Sequence, residues 1–189
     1  MIRVRFVLAA PLVALALAVA VALGGCGGAS GVPPATYVKS VCIALTGWRN
    51  QVQAAGTTLQ TSITSGKHVS LTRGKAAYLA FVEALLRATT GTATQLKQAG
   101  VPAVNGGHQV ASTLVQAFQG AQKALAGAAS QATLIPTTDT KSYAATATQV
   151  TGEIRGALSS MTSVSPRHNA QLRAASDREP ECAALKTTG

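Results

Sequence analysis

The sequence predicts an all-α protein: an antiparallel up-down-up-down four-helix bundle with a short C-terminal helix or tail pinned by a disulfide, preceded by a signal peptide. Three observations predict it. Beyond residue 36 the apolar residues recur in alternating steps of three and four through four long stretches. Short segments rich in Gly, Pro, Asn and Ser separate those stretches. Two cysteines, Cys42 and Cys182, stand near opposite ends of the helical part, where an even number of antiparallel helices brings them to one pole. At 189 residues the chain is long enough for one domain with a real core. Aromatics make up 4% and charged residues 12%, with 16 Lys and Arg against 6 Asp and Glu. So basic and charge-poor a chain argues against an ordinary cytosolic enzyme, an ion-paired coiled coil and a charged disordered tail.

The leader comes first. Arg3 and Arg5 precede a run from Phe6 to Leu23 that is apolar except at Pro11, and Leu23-Gly24-Gly25-Cys26 follows. A basic start, an apolar stretch and small residues before a cut are the parts of a secretory signal, here residues 1–25. The Leu-Gly-Gly-Cys junction resembles the bacterial lipobox. That resemblance implies lipidation of the Cys26 thiol with diacylglycerol and cleavage just before it. The competing readings are simple secretion and an uncleaved anchor. Residues 6–23 would span only about 27 Å as a helix, barely the hydrocarbon core, and the junction has no role in an anchor. Residues 26–36 then read as a flexible tether ahead of a helical domain over 37–189. Two acyl chains would hold that domain at the outer face of the cell membrane.

The four apolar stripes follow in order. The first is Val38, Val41, Leu45, Trp48, Val52, Ala55 and Leu59; the second Tyr78, Val82, Leu85, Thr89, Thr92 and Leu96. The third is Val110, Leu114, Ala117, Ala121, Ala124 and Ala128, widened by Phe118 and Leu125. The fourth is Tyr143, Ala147, Val150, Ile154, Ala157 and Met161. Steps of three and four keep side chains on one face of a helix, whereas a strand needs steps of two. The punctuation agrees. Pro34 suits a first helical turn, and Ser70 and Asp139 suit N-caps. Gly100 with Pro102 reads as a stop and Asn105-Gly106-Gly107 as a turn. Ser165-Pro166 ends the fourth helix and opens a short fifth through Leu172. Helices of about 24 to 29 residues are roughly 36 to 43 Å long, and short loops force neighbours antiparallel. The alanine-rich third helix should approach its neighbours closely.

With Cys26 assigned to lipid, Cys42 and Cys182 remain, and an exported domain normally oxidises such a pair. A bridge there closes a loop of about 140 residues and stabilises by at most about 5 kcal/mol on the loop-entropy estimate. No CxxC or zinc-type ligand grouping competes with it. The segments Thr36-Tyr37-Val38-Lys39-Ser40-Val41-Cys42, Leu134-Ile135-Pro136-Thr137-Thr138-Asp139 and Glu179-Pro180-Glu181-Cys182 resemble a group of small actinobacterial exported lipoproteins of unknown activity. The resemblance implies an envelope lipoprotein with paired cysteines and brings no catalytic residues.

Chemistry-bearing residues are sparse. His68 falls in the first loop, while His108 and His168 fall at the tethered end. His108 and His168 could meet Asp177 or Glu179 in a two-His, one-carboxylate cluster; the plainer reading is three exposed loop histidines. The sequence has no phosphate loop, nucleophile elbow, haem site or Glu-x-x-His pair, so no catalytic residue, metal or cofactor is expected. Glu83 and Arg87 stand four apart as a surface pair. Without Arg3 and Arg5, 14 basic side chains face 6 acidic ones, a net +8 spread along the chain. Such dispersed charge fits loose attraction to anionic lipid or cell-wall polymer rather than nucleic acid, with Arg167, Arg173 and Arg178 placed to rest on headgroups. Trp48, Tyr78 and Tyr143 lie on the stripes as core residues. The expected function is a non-catalytic envelope lipoprotein acting by binding or interaction. The alternative is a small-ligand carrier or sensor with a pocket between helices, lined by Thr89 and Thr92, which an apolar cavity of a few hundred Å³ would favour.

Overall fold

Helices begin and end where the local chemistry predicts. In a computed structural model describing residues 31–65, 70–162 and 169–186, six helices appear: α1 (Pro34–Thr64), α2 (Leu71–Gln98), α3 (Gly107–Thr133), α4 (Thr140–Thr162), α5 (Ala170–Arg178) and α6 (Pro180–Lys186). The protein is all-α; among the described residues the sole β-type pairing is an isolated bridge between Val32 and Pro102. Pro34 opens α1, where its missing N–H costs nothing. The Ser70 hydroxyl accepts from the Arg73 N–H at 3.2 Å and starts α2. Asp139 does the same for α4, accepting from the Ser142 N–H at 2.8 Å. Gly100 and Gly106 take φ of +77° and +72°, the left-handed region that favours glycine, and turn the chain from α2 into α3. At Gly107 a Cβ would lie 2.1 Å from the Pro102 carbonyl oxygen, so only glycine fits there.

Two regions depart from expectation. The tether ends early: Val32 donates its N–H to the Val101 carbonyl and accepts from the Ala103 N–H, both at 2.8 Å, and α1 already starts at Pro34. Residues 31–36, expected to be flexible tether, thus form a strap on the α2–α3 corner and the first helical turn. The C-terminal region is also more helical than expected. Asn169 caps α5 by accepting from the N–H groups of Gln171 and Leu172. That helix runs past Leu172 to Arg178, and Pro180 opens α6 over the stretch read as tail. Residues 1–30, with the signal segment and Cys26, lie outside the described residues.

The main core gathers Val82 and Leu85 of α2, Phe118, Ala121, Leu125 and Ala128 of α3, and Val150 and Ile154 of α4. Ala121, Ala128 and Ala132 are wholly buried, as the close approach of an alanine-rich α3 requires. The buried row on α3 includes Ala111, Phe118, Leu125 and Ala132, while Ala124, expected to face inward, is exposed. Trp48 packs edge-to-face on Phe118 with centroids 5.7 Å apart, and its Nε1–H donates to the buried Thr89 hydroxyl at 3.2 Å. The Tyr78 and Thr151 hydroxyls share a 2.7 Å hydrogen bond that ties α2 to α4. Each of α1, α2 and α3 packs on the next, as does α3 on α4. Among the described residues, however, α1 finds its further neighbours in α5 and α6, and α4 finds its own, more lightly, in α2. The apolar face of α1 is consequently half-covered: Val41, Leu45, Val52 and Leu59 are all partly exposed.

Candidate functional site

A second apolar cluster lies at the pole where α1 starts. Tyr37, Val38 and Cys42 of α1 meet Ala99 and Val104 of the α2–α3 corner, Ala111 of α3, Leu172 of α5 and Cys182 of α6. Cys42 and Cys182 form a disulfide across 140 positions, with Cα atoms 5.0 Å apart. Further bonds seat the C-terminal helices around it. Arg49 donates to the Ala184 carbonyl, and the Thr46 hydroxyl donates to the Glu181 carbonyl at 3.4 Å. Asn169 donates through Nδ2 to the Asn105 carbonyl at 3.0 Å, fastening α5 to the α2–α3 corner. Lys186 Nζ reaches Asp177 Oδ1 at 2.9 Å and the Ser176 carbonyl at 3.3 Å, bracing α6 against α5.

These fastenings frame a cleft of about 610 Å³ between α1 and α3, with α5 and α6 as its remaining walls. Its apolar side is built by Tyr37, Val38, Val41 and Leu45 from α1, Val110 and Leu114 from α3, Leu172 from α5 and Leu185 from α6. Gln109, Thr113, Asn169 and Ser176 supply uncharged polar groups. Among the described lining residues Lys186 alone carries charge, and it is already paired with Asp177. Tyr37 alone there is aromatic; burial pushes its hydroxyl above the usual tyrosine range. The cleft exists because α5 and α6 are too short to fill the flank of α1 as a fourth long helix would.

Had the bundle held a ligand in its interior, Thr89 and Thr92 would line the site; the cleft lies elsewhere. Thr89 and Thr92 are fully buried inside a closed core, so the cavity lies at the disulfide pole instead. The sequence reading missed Gln109, Thr113, Ser176 and Leu185 as lining. A signal was present in Leu172 and Leu185, two large apolar residues in a stretch otherwise taken as polar tail. Val110 and Leu114 of the third stripe pack, half-buried, against the two core clusters and also line the cleft.

The remaining candidates are dispersed. His108 is exposed in the first turn of α3, while His68, His168 and Arg167 lie outside the described residues. Glu179 accepts from the Glu181 N–H at the start of α6, and Asp177 is engaged by Lys186. Among the described residues no three His, Cys, Asp or Glu side chains come together as a metal site. Arg173 and Arg178 are exposed on α5, at the cleft's pole. Glu83 and Arg87 form the expected surface pair at 3.6 Å, both well exposed. Tyr78 and Tyr143 are also held above the usual phenol range by burial, although the Thr151 hydrogen bond opposes this at Tyr78. No helix among the described residues is long and apolar enough to cross a membrane. Compared with protein-family models, with curated proteins and with solved structures, the chain matches none.

Proposed function

We propose that the chain is a non-catalytic, lipid-anchored module of the outer face of the cell membrane whose cleft binds a small apolar molecule. The cleft is the observation that carries this reading. A volume of about 610 Å³ lies within the few hundred to a thousand Å³ usual for small-molecule sites, and apolar walls with a few polar groups suit an amphiphile. This favours the carrier or sensor role over a surface that only presents itself to a partner protein. In this reading the four long helices form the up-down-up-down bundle, left open between α1 and α4. The start of α1 clustering with Ala99 just past the end of α2 supports that path.

The leader supplies the location. Six residue steps lead from Cys26 to Val32 and reach at most about 20 Å fully extended. A lipidated Cys26 therefore keeps the strap, the α2–α3 corner and the cleft's pole close to the bilayer. Arg173 and Arg178 share that pole and would meet anionic headgroups or wall polymer.

The test has two arms. Cys26→Ser moves the protein from the membrane fraction to the soluble fraction; retention in the membrane overturns the anchor. An uncharged apolar fluorescent dye, N-phenyl-1-naphthylamine, binds the purified full-length chain and loses at least tenfold in affinity when Val110→Trp fills the cleft. Unchanged dye affinity in a folded Val110→Trp protein overturns the cleft as the binding site.

A further inference from the structure

We propose that the cleft's ligand is an aliphatic chain of about ten carbons bearing an uncharged polar head; this rests on the small-molecule reading above and names the ligand's chemistry.

Wall composition ranks the other common classes lower. A flat aromatic ligand is gripped by stacking rings, and here Tyr37 is the one ring among the described lining residues. The walls are instead branched aliphatics, Val38, Val41, Leu45, Val110 and Leu114, which offer non-directional contact along a methylene chain. Charge decides the head. A carboxylate or phosphate head wants an available cation, and an ammonium wants an available carboxylate. The cleft's charged lining group, Lys186, already has its ammonium 2.9 Å from the Asp177 carboxylate, so the pair presents close to zero net charge. The side chains of Asn105, Gln109, Thr113 and Ser176 remain, and these amides and hydroxyls suit a hydroxyl, ester or amide head, while both ends of the Asn169 amide are already engaged.

Length follows from helix geometry. The α1 wall runs from Tyr37 to Leu45, eight residue steps, or about 12 Å at the α-helical rise. With carbon–carbon bonds of ~1.5 Å in zigzag, an extended chain of about ten carbons covers that distance. Each methylene that enters the cleft strengthens binding about fourfold, the equilibrium counterpart of burying one CH₂ group. A methylene beyond the wall's end stays in water and adds nothing.

Titration calorimetry of the full-length chain with 1-hexanol, 1-octanol, 1-decanol, 1-dodecanol and decanoate tests this. The dissociation constant should fall about fourfold per carbon from six to ten, flatten between ten and twelve, and be no tighter for decanoate than for decanol. Both Val110→Trp and Gln109→Trp should abolish the series; Gln109 is exposed, so that variant folds even where the first does not. An affinity independent of chain length, or a tenfold preference for decanoate, overturns the aliphatic uncharged ligand. If the dye still binds and is blocked by Val110→Trp, that failure leaves the small-molecule reading standing. If neither dye nor alcohols bind, both fall.

Discussion

The mid-section of the molecule and its disulfide pole are built from the same kinds of residue and end in opposite states. In the mid-section, wholly buried Ala121 and Ala128 bring α3 close to its neighbours, and Phe118, Leu85 and Leu125 fill the remaining space. At the pole, a nine-residue helix and a seven-residue helix pack on α1 and leave about 610 Å³ open toward α3. Helices that short are not stable alone in water, since nucleation costs more than a few turns return. Their order is therefore borrowed, from the disulfide, from the Asn169 cap, from the bonds to Arg49 and Thr46, and from the burial of Leu172 and Cys182 in the pole's apolar cluster. Packing alone closes one region; in the other, covalent and polar fastening joins a smaller apolar cluster and a cleft stays open.

The largest expected effect breaks the mid-section. Phe118→Ala removes a side chain that is 2% exposed and touches Trp48. It should lower unfolding free energy by about 3–5 kcal/mol in urea denaturation. Dye binding by the remaining folded protein should be unchanged. A large loss of binding per folded molecule would mean that the two regions are not separable. Next comes the pole. Replacing Cys42 and Cys182 by serine should cost about 2–5 kcal/mol. Hydrogen exchange should show α5 and α6 losing protection first, while Val82–Leu85 and Phe118–Leu125 keep theirs. Parallel loss in all four helices would merge the regions into one cooperative unit.

The smallest effect concerns α4, which belongs to the mid-section alone. The Asp139 carboxyl is held below its usual 3.8, first by the hydrogen bond from the Ser142 backbone N–H, then by the Ser142 hydroxyl. A lowered folded-state pKa means the unfolded chain takes up the proton first as pH falls. The contribution of Asp139 is thus complete above the ordinary carboxylate range and lost as pH drops through its lowered value. Melting curves between pH 2 and 5 (about the range of carboxylate titration) should show a shallower acid slope for Asp139→Asn than for the parent. An identical slope removes the cap from the account.

What was legible in the sequence was whatever acts locally. Four apolar stripes gave four long helices because one face repeats every 3.6 residues wherever the chain is helical. Ser70, Asp139, Gly100 and Gly106 gave the punctuation because caps and left-handed turns depend on the residue and its near neighbours. The Cys42–Cys182 bond was legible because compartment and chain path both pointed to it. Periodicity shows that a face is apolar and leaves open what covers it, so the half-bare flank of α1 and the cleft beside it did not show. Likewise α6 looked like tail: Glu181, Ala183, Ala184, Leu185 and Lys186 are good helix formers, but seven residues are too few to hold a helix alone, and the segment leans on α1. The Val32 strap is a backbone pairing, and a Gly-Pro-rich stretch gives no hint of one.

That strap has a mechanical consequence. Were the chain anchored at Cys26 as proposed, tension would meet the two hydrogen bonds of Val32 before Pro34, and these would pass it sideways into Val101 and Ala103. Such a load would fall on the corner between α2 and α3 before it reached the first turn of α1, which forms one lip of the cleft.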